Sequence, residues 1–330
     1  MENRVSFPYI DGNARKQPDA PLQIPVPERR KQTDPENYLM DPKLADAVNV
    51  ALLLSQPLLL TGEPGTGKTQ LAHRLAWQLR YDEPLVFNTK SNSAARDLFY
   101  TFDAIGRFHA VQTREGSAHN LDYLSFNALG LAILGSHPRE AVAHVLSTDF
   151  RHQGPKRSVV LIDEIDKAPR DFPNDLLHEV DAMAFRIPEI GNVEVKAAPA
   201  LRPILVLTSN SERNLPDAFL RRCIFYNIPF PFRARLAEII YARLPALKDG
   251  ASPLLDSALD FFLELRAAGL RKPPSTAELL NWLQAMVSYG AATAKPLKAS
   301  ANALRRSAST LAKTKDDEEE LTARLEKYLG

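Results

Sequence analysis

The chain has 330 residues, with 41 Lys and Arg against 40 Asp and Glu, a formal charge of +1. This balance gives no bulk attraction to nucleic acid or to an anionic membrane, and a single cysteine, Cys223, excludes an intrachain disulfide and points to a reducing compartment. About two domains are expected at this length; residues 1–20 hold no apolar signal core and no 18-residue apolar run reads as a membrane span, so a soluble cytoplasmic protein is expected.

Residues 1–36 form an arm with Pro8, Pro18, Pro21, Pro25, Pro27 and Pro35 and the basic run Arg29-Arg30-Lys31. Such a stretch buries little and runs extended, either wrapped on a neighbouring copy or free. Asp41-Pro42 opens a helix, Asp41 as N-cap and Pro42 at the first position, with Leu44, Val48, Ala51 and Leu52 as its apolar face.

The apolar run at residues 57–61 reads as a buried strand, and Leu71, Ala72, Leu75, Ala76 and Leu79 follow at helical spacing. Between them stands Gly62-Glu63-Pro64-Gly65-Thr66-Gly67-Lys68-Thr69, which fits the phosphate-binding loop pattern G-x-x-x-x-G-K-[ST]. The glycines let the backbone fold around an anion with N–H groups inward, and the helix dipole adds to the attraction. In this pattern Lys68 reaches the β- and γ-phosphates of a nucleoside triphosphate and the Thr69 hydroxyl holds Mg2+.

Residues 85–89 read as a second strand. Residues 90–157 are the least legible: helical spacing shows at Leu98, Phe99, Phe102 and Ile105 and again from Ala128 to Ile133, and the aromatics Phe99, Tyr100, Phe102 and Phe108 read as core. Residues 158–162 are a continuous apolar run, as in a central parallel strand, ending in Asp163-Glu164. At the carboxyl end of such a strand, beside the phosphate loop, Asp163 can complete a magnesium shell and Glu164 can activate water. The blander reading makes the pair a cap for a helix through Ile165 and Asp166.

Alternating residues 183–195 around Gly191-Asn192 fit a β-hairpin. Residues 203–208 are a further buried strand, ending at Ser209-Asn210, where a polar amide can contact the γ-phosphate or the attacking water, or simply close a turn. Residues 215–223, Leu-Pro-Asp-Ala-Phe-Leu-Arg-Arg-Cys, end in Arg221 and Arg222. They can clamp transition-state charge on a phosphate or form a solvated basic helix end.

Beyond Pro231 the pattern is helical. Ser275 and Glu278 form a capping box, ahead of the apolar stripe Leu279, Leu280, Trp282, Leu283 and Met286. The charge run at residues 315–320 reads as a solvated final helix or its first turn. The expected division is the arm at 1–36, an α/β core with a parallel sheet at 37–231, and an all-α region at 232–330.

The order GEPGTGKT, VVLIDEID and LTSNSERNLPDAFLRRC resembles the AAA+ ATPases of the P-loop class, and within them the MoxR family, from about Pro57 to Pro231. The resemblance implies an ATP hydrolase whose C-terminal helices form a lid. It also implies a homo-oligomeric ring, usually a hexamer, with ATP between subunits and Asn210 as sensor. MoxR-like proteins read L-P-x-A-x-x-D-R-F where this chain has residues 215–223, so the arginine finger registers on Arg222, with Arg221 replacing the usual acidic neighbour. The family's second sensor arginine registers at Thr276, with Arg271 or Lys272 just upstream as substitutes. It also implies an insert within 90–157 and a pore-facing hairpin at 183–195, where a plain surface hairpin fits the residues equally well. The implied work is chaperone-like remodelling or maturation of a client protein, often beside a von Willebrand factor A domain protein.

Two other classes remain. A ring motor on nucleic acid or in a defence system would bind DNA in a salt-dependent way. A nucleotide-gated scaffold would scarcely turn ATP over and could dispense with Glu164 and both arginines, which are present here.

Overall fold

The computed structural model describes residues 7–10, 21, 34–113, 119–210, 215–247 and 252–330. Of the arm, Pro18, Pro25, Pro27 and Arg29-Arg30-Lys31 lie outside the described residues. Contacts divide the chain into two units: one holds Met40–Glu63 and Gly67–Pro229, the other Phe230–Gly330 with Pro64–Thr66 and the described residues up to Leu39.

Among the described residues, the first unit carries nine strands: β1 Leu58–Thr61, β2 Leu85–Asn88, β3 Tyr100–Phe102, β4 Leu124–Phe126, β5 Val159–Asp163, β6 Ala184–Ile187, β7 Val193–Lys196, β8 Ile204–Thr208 and β9 Ile224–Asn227. Five make one sheet in the order β2-β5-β8-β1-β9, every neighbouring pair parallel. The three central strands are the continuous apolar runs, as burial on both faces demands. Leu59, Val160, Ile162, Leu205 and Leu207 join one buried cluster with Phe172 and Leu176. Their alternates Leu58, Leu60, Leu161 and Val206 are also buried. The helix Lys68–Gln78 buries Leu71, Ala72, Leu75 and Ala76. The helix Pro42–Leu54 begins as its sequence indicates, with the Asp41 carboxylate accepting from Lys43 N at 2.9 Å.

The order β5-β8-β1 places three strand ends side by side. β1 runs into the phosphate loop, β5 into Asp163-Glu164 and β8 into Ser209-Asn210, all at carboxyl ends, where open α/β sheets bind ligands.

The remaining four strands form two two-stranded sheets, β3–β4 and β6–β7. The hairpin β6–β7 pairs Phe185 with Val195 and Arg186 with Glu194, and Gly191 and Asn192 take positive φ of 90° and 60° in its loop. The interval 90–157 differs from the helical spacing at Leu98 to Ile105: a 3-10 turn, Ala95–Leu98, leads into β3, which pairs antiparallel with β4. Leu98, Phe99 and Tyr100 are all buried, and a run buried on every side carries no usable period. Ala128–Leu134 is helical. Phe99 and Tyr100 are core, but Phe108 is 59% exposed on the helix Ala104–Thr113. The hairpin loop is tied to this interval through Glu189, whose carboxylate accepts from Tyr100 OH at 2.9 Å and meets Arg96 at 3.4 Å.

The C-terminal helices have their own core around Trp282, Phe262 and Leu265. Thr276–Ser288 starts on the Ser275–Glu278 capping box, with Leu279, Leu280, Trp282, Leu283 and Met286 buried. The charge run opens the helix Lys315–Leu329, but it is not wholly solvated. Asp317 is 2% exposed and accepts from Arg271 N at 2.7 Å, Lys272 N at 3.2 Å and Thr314 Oγ1 at 2.7 Å. These bonds hold its carboxyl below the ordinary range, the Thr314 hydroxyl contributing most. Among the described residues, no helix is long and apolar enough to cross a membrane.

Candidate active site

The site begins where β1 ends. Gly62, Gly65 and Gly67 all take positive φ, at 138°, 77° and 90°, which lets the loop turn back before the helix. Gly67 is the N-cap of Lys68–Gln78 and, having no side chain, leaves the first helical N–H groups uncapped. Such groups, with the dipole behind them, suit an anion.

Lys68 is 7% exposed, and its ammonium donates to Gly62 O at 2.8 Å, Glu63 O at 3.0 Å and Asn210 Oδ1 at 3.0 Å. Burial lowers its pKa, opposed by the charges of Asp166, Asp163 and Glu164.

The adjacent Thr69 donates its hydroxyl to Asp163, 3.0 Å from Oδ1. Asp163 Oδ1 also accepts from Thr208 Oγ1 at 2.5 Å, and Thr208 Oγ1 in turn accepts from Glu164 N at 2.9 Å. Thr208, 1% exposed at the tip of β8, therefore pins both members of the acidic pair. It was missed in the sequence because a threonine ending an apolar run reads as part of the strand; only the adjacency of β5 and β8 reveals it.

Glu164 adopts a left-handed backbone, φ 55° and ψ 51°, ahead of the 3-10 turn Ile165–Lys167, and its side chain does not cap that turn. Its carboxylate instead accepts from Lys167 Nζ and lies 3.5 Å from Asn210 Nδ2. Asn210 N donates to Asp166 Oδ1 at 3.2 Å. The Asn210 amide thus spans from Lys68 to Glu164 and does more than close a turn. Lys167 and Asp166 are two further participants that the motif alone did not single out, although Lys167 stands three residues after Glu164.

Lys68, Thr69, Asp163, Glu164 and Asn210 are therefore brought together. Arg221 and Arg222 are not among them. They follow the short helix Asp217–Leu220, and Arg222 bonds Asp181 instead, Nε to Oδ2 at 2.8 Å. Arg271 and Lys272 bond Asp317 through their backbone N–H groups, and Thr276 is 6% exposed with a buried hydroxyl that has no hydrogen-bond partner.

This geometry is that of a P-loop nucleotide-binding fold. Residues 57–223, just over half of the chain, match the model of the AAA domain, dynein-related subfamily, and the chain belongs to that family. Among solved structures it is similar to the Holliday junction branch migration motor RuvB of Thermotoga maritima. Identity is 15%, with 80% of this chain and 67% of that one covered and a TM-score of 0.42. Two variants of the same motor match at 17% and 18% identity, with the same coverage and TM-scores of 0.43. No curated protein sequence matches the chain.

Proposed function

We propose that this protein is a MoxR-like ATPase that hydrolyses ATP in a homo-oligomeric ring, a hexamer by resemblance. It remodels or matures a client protein, of which a von Willebrand factor A domain protein is the type to test first. The observation that carries this reading is the hydrogen-bonded convergence of three strand ends, Thr69 with Asp163 and Lys68 through Asn210 with Glu164.

In this reading the residues Gly62, Glu63, Pro64, Gly65, Thr66 and Gly67 cradle the phosphates through backbone N–H groups, and Lys68 neutralises β- and γ-phosphate charge. Glu164 takes a proton from the attacking water, and Asn210, bonded on both sides, orients that water against the γ-phosphate. Arg222 meets the phosphate held by a neighbouring copy. Thr69 and Asp163 present a hydroxyl and a carboxylate, hard oxygen donors that fit Mg2+, and would hold it with water and phosphate oxygens completing the shell. When bound, the ion offsets negative charge on the phosphates. The protein's contribution is placement and charge stabilisation, with little covalent chemistry of its own.

Two variants test the reading. Lys68→Ala should lose both ATP binding and turnover. Glu164→Gln should bind ATP as the parent does while phosphate release falls about 100-fold, the scale of general-base loss. Equal ATP affinity in Lys68→Ala rejects the phosphate-loop assignment, and normal turnover in Glu164→Gln removes Glu164 from the mechanism. Held in ATP, the Glu164→Gln protein is also the form to use in capturing the client.

A further inference from the structure

We infer that Asp181 is a positioning residue for Arg222, fixing its guanidinium so that the free edge meets a phosphate on a neighbouring copy. The inference rests on the reading of Arg222 as a finger acting between subunits.

Asp181 stands near the end of the helix Leu177–Ala182. The Arg202 guanidinium holds that end, Nη2 donating to Val180 O at 3.2 Å and Asp181 O at 3.0 Å. The Asp181 carboxylate is therefore offered from a braced backbone. It accepts from Arg222 Nε at 2.8 Å, and Arg222 Nη1 donates to Ala218 O at 3.0 Å.

A guanidinium has five N–H donors in one plane. Two bonds to acceptors on different helices fix that plane and leave Nη2 with no acceptor among the described residues. An arginine held this way presents a fork already oriented for a phosphate. Arg221, the exposed C-cap residue of Asp217–Leu220, makes no side-chain hydrogen bond among the described residues. Of the two adjacent arginines, only Arg222 is aimed. The sequence has no acid immediately before the finger, and Asp181 supplies one from 41 positions upstream.

The pair is about half-exposed on both sides, at 45% and 52%, so it contributes little to the stability of the fold. That separates a positioning role from a structural one. The test uses the full chain, with assembly confirmed by light scattering, and measures steady-state phosphate release and thermal unfolding. Asp181→Ala should lower kcat about 10-fold or more, as for a misplaced reacting group. Its unfolding midpoint should not move, and KM for ATP should stay within about twofold because the nucleotide's own pocket is intact. Asp181→Glu, which keeps the carboxylate, should recover much of the loss. Combined with Arg222→Ala, Asp181→Ala should add nothing, since a residue acting only through another is silent once that one is gone.

Additive losses in the double variant would overturn the inference, as would unchanged or raised turnover in Asp181→Ala. If Arg222→Ala alone turns over normally, the finger reading fails and the Asp181 inference with it. If Arg222→Ala is inactive while Asp181→Ala is normal, the inference alone fails.

Discussion

At the strand ends of the sheet unit, Thr69, Asp163, Thr208, Asn210 and Glu164 bond one another across loops that are more than 40 residues apart in sequence. Among the C-terminal helices, Asp317, Ser275 and Glu278 instead bond backbone N–H groups of their own or an adjoining turn. Side chains that satisfy each other can exchange partners when a charged ligand arrives. A side chain that satisfies a buried backbone group cannot leave without exposing it. In the first unit the side-chain pairs Thr69–Asp163 and Asn210–Glu164 are therefore free to re-pair, whereas in the second Asp317 is braced by the backbone it satisfies.

The largest effect that could break this comparison lies at Arg222. If it completes a neighbour's site, Arg222→Ala should bind ATP yet lose on the order of 1,000-fold in turnover. Mixed with Lys68→Ala subunits, it should regain activity, because an intact phosphate loop then faces an intact arginine. No recovery in mixed oligomers confirmed by light scattering would make Arg222 a residue of its own subunit. Recovery by Arg221→Ala instead would move the register by one.

Thr208 comes next. Thr208→Val keeps the shape and removes the hydroxyl that joins Asp163 to the Glu164 backbone. Turnover should fall by about 10-fold, the low end for a misplaced reacting group. An unchanged kcat would show that Asp163 and Glu164 are held without it.

The smallest effect should come from the braced unit, and in stability. The Asp317 carboxyl lies below its unfolded value, so its contribution is present above the ordinary carboxyl pKa of ~3.9 and is lost as pH falls through its folded value. Asp317→Asn should lower the unfolding midpoint at neutral pH, and the gap to the parent should narrow progressively as pH falls below ~3.9. Phosphate release at ambient temperature should stay as in the parent. A gap that does not narrow on acidification would mean that the charge is not what braces this turn.

The legibility of the two units follows the same division. The phosphate loop, the acidic pair and the strands that carry them were readable because continuous apolar runs and glycine positions are local signals. Thr208 and Asp181 were not, since each acts on a residue distant in sequence and nothing in their own neighbourhood marks them. Among the helices, Ser275 and Glu278 were readable because a capping box is local. Asp317 was hidden in a charge run, where four acidic neighbours and a lysine give no hint that one turns inward. Leu98 to Tyr100 misled for a different reason: three consecutive buried residues carry no alternation to distinguish a strand from a helix.

Glu164 leaves β5 through a left-handed backbone, a conformation that strains a residue bearing a Cβ by about 1–2 kcal/mol. Asparagine and glycine tolerate that region better. If Glu164 is the base proposed above, the demands of chemistry and of conformational ease point to different amino acids at this position. A search for sturdier variants that ranks substitutions by melting temperature alone will then drift toward Gly or Asn here, and so toward proteins that fold well and hold nucleotide without consuming it.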